Sequence, residues 1–371
     1  MAGRAGLKLW LVTSFFLGEE GLDVKKLEAL PQWSACVLCM VAAAMFVVAS
    51  VVEPWAADVI TLRFATLQSP TNPMIVELQK ALDQIVKRSD GRIKFQMHYG
   101  TEAGFKAKEF VTALQKGLLD AALIATSASA FDYPWLAVSG IPFLSPDLKT
   151  REVLLDALRP MFEEFSIQHK IIPLAYPLHV DAFLVIYSRT KLETLSGMKG
   201  KLIRVYDPNS IAIVKGLGSV PVDLQKSEIY LALQKGTIEG AITGTTSAAD
   251  LHFDEVCKYE TKITPLFNPN IVGVSKIAWD RLSKDQQTLI TDVLAKWDKE
   301  YMVMINKPSA EKEAFEYAIA HGMTIVEPGP DAQAAFSAIK ENVIKDFLKE
   351  SGAQGKRALD AINAALAKAK K

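Results

Sequence analysis

Arg204 stands in the segment KLIRVYDPNSIAIVKGLG (201–218), on a short strand-like run that leads into Asp207, Pro208 and Asn209. Asp ahead of Pro supplies an N-cap followed by a first-turn proline, so a helix is expected to begin there. A guanidinium beside a helix N-terminus can take a carboxylate on two parallel N–H donors, and the helix dipole adds to the attraction. Two readings stand at this point: an anion site, or a surface arginine paired with Asp207. Tyr206 lies on the same side of the strand as Arg204. Phe131, Tyr133 and Trp135 fall near predicted strand ends, where an aromatic ring either stacks on a flat ligand or fills the core.

No catalytic constellation is legible. His98, His169, His179, His252 and His321 are scattered without ligand spacing, so no metal site is expected. There is no Gly-x-Ser-x-Gly elbow and no Walker loop. The pair Gly216 and Gly218 ends a helix instead of following a strand, so no dinucleotide or other cofactor is expected. Cys36 and Cys39 lie within an apolar run, where two small apolar residues are a better reading than a redox pair. Cys257 would then be alone in the exported chain, which precludes an internal disulfide.

The elements that must position Arg204 follow from periodicity. Ile60, Leu62 and Phe64 alternate with Thr61 and Arg63 as a strand. Asn72 and Pro73 start a helix carrying Ile75, Leu78, Leu82 and Ile85, Gly91 closes it, and Ile93 to Tyr99 alternate again. This β-α-β opening calls for a parallel sheet with a covering helix. An internal repeat is more informative: ALQKGLLDAALIATS (113–127) and ALQKGTIEGAITGTT (232–246) align without a gap, 119 residues apart. Each copy reads as a helix end, a glycine cap (Gly117, Gly236), a strand, and a Thr/Ser cluster suited to capping the next helix. Two related α/β lobes whose strand ends face one another form a cleft, the usual place for a ligand in such sheets. The crossovers are expected near 177–188, read as one long strand, and near 267–275. A single long helix from Trp279 to about Ile305 is expected to brace both lobes.

A chain of 371 residues suits two domains. Its 42 basic and 42 acidic residues give no net field to draw it to nucleic acid. Residues 35–52 are apolar throughout, with Ala56 and Ala57 just beyond, as in a secretory signal; a retained anchor is the rival reading.

From Thr61 to about Leu366 the sequence resembles the DctP-type solute-binding proteins of TRAP transporters. The resemblance is carried by GMKGKLIRVYDP (197–208), VPVDLQKSEIYLALQKGTIEGAITG (220–244) and GIPFL (140–144), with weaker support from SDGRIKFQMHYGTEAG (89–104) and LSKDQQTLITDVLAKW (282–297). It implies an α/β, two-lobed periplasmic binding protein without catalytic activity, which delivers a small carboxylate to TRAP-type membrane permease subunits; the alternatives are a ligand-binding subunit for a membrane sensor and, behind it, a periplasmic enzyme on a similar scaffold. Lobe I would comprise 58–180 plus 270–305, and lobe II 181–269 plus 306–371, behind a leader and signal or anchor segment at 1–57. Arg204 occupies the family's carboxylate-binding arginine. Departures from the family pattern are expected to shape the pocket. A second arginine falls at Leu184, a usual asparagine at Thr243, a frequent aromatic at Lys226, and two polar positions at Leu67 and Ala125. The candidate binding set is therefore Arg204, Tyr206, Lys226, Thr243, Leu184, Thr126, Phe131 and Tyr133. One strong anchor amid apolar surface favours a monocarboxylate with an apolar or aromatic body over a dicarboxylate or sugar acid.

Overall fold

The computed structural model describes residues 59–369, apart from positions 146 and 308 and the side chain of Glu311. The apolar run at 35–52 and the expected leader at 1–57 lie outside the described residues. Eleven strands occur among those described. They are β1 (Ile60–Thr66), β2 (Ile93–Tyr99), β3 (Ala121–Ala125), β4 (Ile171–Ala175), β5 (Phe183–Ser188) and β6 (Leu202–Val205). Then follow β7 (Val220–Asp223), β8 (Gly240–Gly244), β9 (Tyr259–Pro265), β10 (Asn270–Ser275) and β11 (Thr324–Val326).

They form two sheets, ordered β2-β1-β3-β10-β4 and β11-β9-β5-β8-β6-β7. The β-α-β opening is present: β1 pairs with β2 in parallel, and the helix Pro73–Arg88 between them starts on Asn72, whose side chain accepts from Met74 N at 3.1 Å. Leu62 and Phe64 are buried while Thr61 and Arg63 are exposed, as the alternation requires. The repeat also has a structural counterpart. Helices Phe110–Gln115 and Ile229–Lys235 each run into a left-handed glycine, Gly117 at φ +70° and Gly236 at φ +72°, and then into β3 and β8, one in each sheet. A residue with a Cβ is strained at these positions, which is why both copies keep glycine.

The second sheet is covered on both faces, and the period of two sorts its side chains. Leu184 and Ile186 of β5 enter the large core shared with the first sheet, whereas Val185 and Tyr187 enter a smaller core with Ile229, Leu233 and Phe253.

Three expected elements differ. The stretch 177–188 is not one strand: β5 begins only at Phe183, and the preceding residues run beside the return crossover. His179 N donates to Asn268 O and Asn270 N to Pro177 O, both at 2.8 Å, so the two crossovers form a short antiparallel ribbon between the sheets. The helix expected from Trp279 to Ile305 is two helices, Lys276–Trp279 and Lys284–Ile305, because Ser283 builds a capping box with Gln286 and restarts the chain. The longer one packs on Pro73–Arg88 and β4, both on the side of the first sheet. A long helix in contact with both lobes is instead the C-terminal helix Pro330–Ala369, broken at Gly352. It lies against the helix Arg151–Gln168 and the turn Pro134–Gly140 of one lobe and against the helix Pro208–Gly216 of the other. The Thr/Ser clusters do not cap either: neither Thr126 nor Thr246 accepts a capping hydrogen bond.

Candidate ligand-binding cleft

Between the two sheets lies a cleft enclosing about 1210 Å³ of space including its open mouth. Arg204 enters it from β6, between β7 and β8. The residue is only 5% exposed, its Nε donates to the Leu224 carbonyl at 2.9 Å, and its terminal nitrogens meet no acceptor among the described residues. Burial pulls the guanidinium down to about 10, which leaves it charged at neutral pH. The ring of Tyr206 lies 5.4 Å from the guanidinium carbon, and the carboxylates of Asp207, Asp223 and Glu228 act on it from further off, without any of them forming an ion pair with it among the described residues. Asp207 is not its partner. That carboxylate caps the helix Pro208–Gly216, accepting from Ser210 N at 2.7 Å, and burial lifts it to about 6. The reading as a surface ion pair is thus excluded. A buried guanidinium with no acceptor at its terminal nitrogens leaves charged donors unsatisfied, and an anion in the cleft would offset that cost.

The other candidates divide. Thr243, Lys226, Phe131 and Tyr206 line the cleft, as do the apolar Leu67 and Ala125. Thr243 Oγ1 lies 3.0 Å from Ser247 Oγ, and Phe131 sits at the mouth, 41% exposed. Leu184 does not line it: the side chain faces a smaller cavity behind Tyr206, with Asp207, Asn209 and Thr264. Thr126 is fully buried, its hydroxyl donating to the Pro269 carbonyl at 2.7 Å and tying β3 to the crossover. Tyr133 packs edge-on to Phe165 and His169, at 4.9 and 4.8 Å, away from the cleft. Trp135 is buried against Phe162 and Phe165. These rings follow the core rule for aromatics.

Lys226 is already occupied. Its ammonium donates to Asp250 Oδ2 and to Gln68 Oε1, each at 2.6 Å. Because a lysine can only donate, the Gln68 atom facing it must be the carbonyl oxygen, which turns the amide nitrogen toward His179 Nε2 at 2.8 Å. That ring nitrogen therefore accepts, and the other, Nδ1, carries the proton and donates to Asp181 Oδ2 at 2.5 Å. Asp181 also accepts from the backbone N and the hydroxyl of Thr246, at 2.6 and 2.7 Å. Burial pushes the Asp181 carboxyl up, but His179 and Thr246 outweigh it and hold the group at about 2. Asp250 further accepts from the hydroxyls of Ser69 and Thr71, residues just beyond β1. One hydrogen-bonded chain thus crosses the cleft from the first sheet to the second.

Sequence reading missed Gln68, His179, Asp181, Asn268 and Asn270, all of which line the cleft. The spacing His179-x-Asp181 was the available signal, and reading 177–188 as a single strand concealed it. Among the described residues no cluster of His, Cys, Asp and Glu could hold a metal ion, and no helix is long and apolar enough to cross a membrane.

A cleft between two α/β lobes, with a buried arginine free of ion pairs on its wall, has the geometry of a binding site. The chain belongs to the family of bacterial extracellular solute-binding proteins, family 7 (DctP), whose profile matches residues 64–351. It is 28% identical over 227 residues to a solute-binding protein of Albidiferax ferrireducens, covering 58% of this chain and 64% of that one. It is 22% identical over 305 residues to the 2,3-diketo-L-gulonate-binding periplasmic protein YiaO of Escherichia coli, covering 82% and 91%. Among solved structures, DctP7 of Bordetella pertussis, an extracytoplasmic solute receptor binding pyroglutamic acid, superposes with a TM-score of 0.75 at 20% identity, over 82% of this chain and 99% of that one. A TRAP periplasmic solute-binding protein from Desulfovibrio salexigens, with bound orotic acid, gives 0.72 at 20% identity, over 83% and 99%. The fold is that of two-lobed periplasmic binding proteins.

Proposed function

We propose that this chain is a periplasmic receptor that holds the carboxylate of a small organic acid on Arg204 and delivers the acid to TRAP-type permease subunits, without transforming it. The observation that carries this reading is the state of Arg204: buried, charged, fixed through Nε, and open at both terminal nitrogens toward the cleft. A planar guanidinium held at one edge presents the other nitrogens as a ready pair of donors for one carboxylate. The walls favour a monocarboxylate with an apolar or ring-shaped body. Leu67, Ala125, Phe131 and Tyr206 offer hydrocarbon and aromatic surface, and burying ligand against it contributes about 25 cal/mol per Å². The pyroglutamate and orotate bound by structural neighbours are of this chemical kind.

Calorimetric titration with a panel of organic acids tests the reading on the wild type and on Arg204→Ala. Loss of at least about 2 kcal/mol of binding energy is expected for the variant, because a charged, hydrogen-bonded pair is removed. Equal affinity for the two proteins would rule out Arg204 as the anchor.

A further inference from the structure

Resting on that reading, we infer that Asp250, though placed to touch no ligand, makes the cleft select monocarboxylates over dicarboxylates by neutralising Lys226. Four cations line the cleft: Arg204, Lys106, Lys108 and Lys226. Arg204 is taken by the ligand's carboxylate. Lys106 and Lys108 stand exposed in the water of the mouth, where an ion pair contributes little. Only Lys226 is covered enough to hold a second carboxylate strongly, and it is paired at 2.6 Å with Asp250, whose side chain is 1% exposed. Burial raises the Asp250 carboxyl, but Lys226, Ser69 and Thr71 together bring it below the usual range, so it is ionised at neutral pH.

The Lys226 side of the cleft therefore offers no free positive charge to an incoming anion. Asp181 is ionised there, at the end of the hydrogen-bonded chain that runs from Lys226 through Gln68 and His179. A distal carboxylate would lose its water and meet only a lysine already paired with Asp250, whereas a distal amide, keto or hydroxyl group can accept from the ammonium's third N–H without bringing charge. Discrimination arises from the repulsive element as much as from the attractive one.

The test uses two matched pairs of probes, glutarate with glutaramate and terephthalate with 4-carbamoylbenzoate, which differ only in whether the distal group is a carboxylate or a carboxamide. Isothermal titration at pH 7 on the wild-type chain is expected to favour the carboxamide member by about tenfold or more. Asp250→Asn, which keeps the shape and removes the charge, should erase or invert that preference. The double variant Ser69→Ala/Thr71→Val removes the hydroxyls that hold Asp250 across the cleft while leaving every charge in place, so it should weaken both members alike and leave their ratio unchanged.

An unchanged ratio in Asp250→Asn overturns the inference, as does a wild type that prefers the diacid. So does failure of Asp250→Asn to bind either diacid, which would make Asp250 a purely structural residue. Carboxamide binding that survives Arg204→Ala would strike instead at the anchor assigned above, so the two failures are told apart by which variant misbehaves.

Discussion

Asp181→Asn probes the charge network where its energy is most concentrated. Asp181 accepts three hydrogen bonds, from His179 Nδ1 at 2.5 Å, Thr246 N at 2.6 Å and Thr246 Oγ1 at 2.7 Å. These hold its carboxyl at about 2, against 3.8 for a free side chain. A carboxylate whose folded value is depressed contributes stability above its unfolded value, and loses that contribution as pH falls through the folded one. The contribution is about 2 kcal/mol at pH 7, and roughly half remains at pH 3. Asparagine cannot be ionised, and its amide nitrogen faces donors, so a further cost independent of pH is added. Denaturant unfolding of both proteins at several values between pH 3 and pH 7 measures the difference. The expected difference is at least about 2 kcal/mol at pH 7 and shrinks by about 1 kcal/mol on going to pH 3. A difference that is constant across this range would refute the claim that an ionised Asp181 stabilises the fold, whatever its size.

Gly244→Ala should be severe, because an added Cβ would lie 1.9 Å from Asp181 Cγ and force that buried carboxylate off its partners. A loss of about 3 kcal/mol or more is expected in urea unfolding, and a loss below about 1 kcal/mol would show that Asp181 can move freely. Glu260 works in the opposite pH sense to Asp181. Fully buried in β9 with Oε2 unpartnered, its carboxyl is pushed by burial up to about 8 from 4.5, so its own contribution to stability is full below 4.5 and is lost as pH rises toward 8. Glu260→Gln should flatten that fall, gaining on the order of 4 kcal/mol relative to the wild type between pH 4.5 and pH 8.5, as read from unfolding midpoints. Parallel pH profiles for the two proteins would contradict it.

Local signals were legible in the sequence where short-range chemistry decides the outcome. Asn72-Pro73 and Asp207-Pro208 start helices because cap and ring act within one turn, and ALQKG marked both strands β3 and β8 because left-handed glycine is a local demand. Arg204, Tyr206, Thr243 and Phe131 reached the cleft as expected. Leu184, Thr126 and Tyr133 did not, since alternation along a strand says that faces differ without saying which neighbour each face meets. Lys226 reached the cleft, but its pairing could not be read, because Asp250 and Gln68 lie 24 and 158 residues away and only the tertiary fold brings all three together. The break at 280–283 was missed because apolar spacing continues through it, while the Ser283 and Gln286 box that restarts the helix is polar and local.

The two crossovers that join the sheets run side by side, pinned by His179 N to Asn268 O and by Asn270 N to Pro177 O. A two-stranded ribbon bends across its flat face at little cost, whereas sliding one strand past the other would break those bonds together. The joint has the mechanics of a leaf spring with a single compliant direction, so a lobe motion that keeps those bonds would be confined to one arc. Such a motion would return Arg204 and the Gln68 side of the cleft to the same alignment each time the lobes closed.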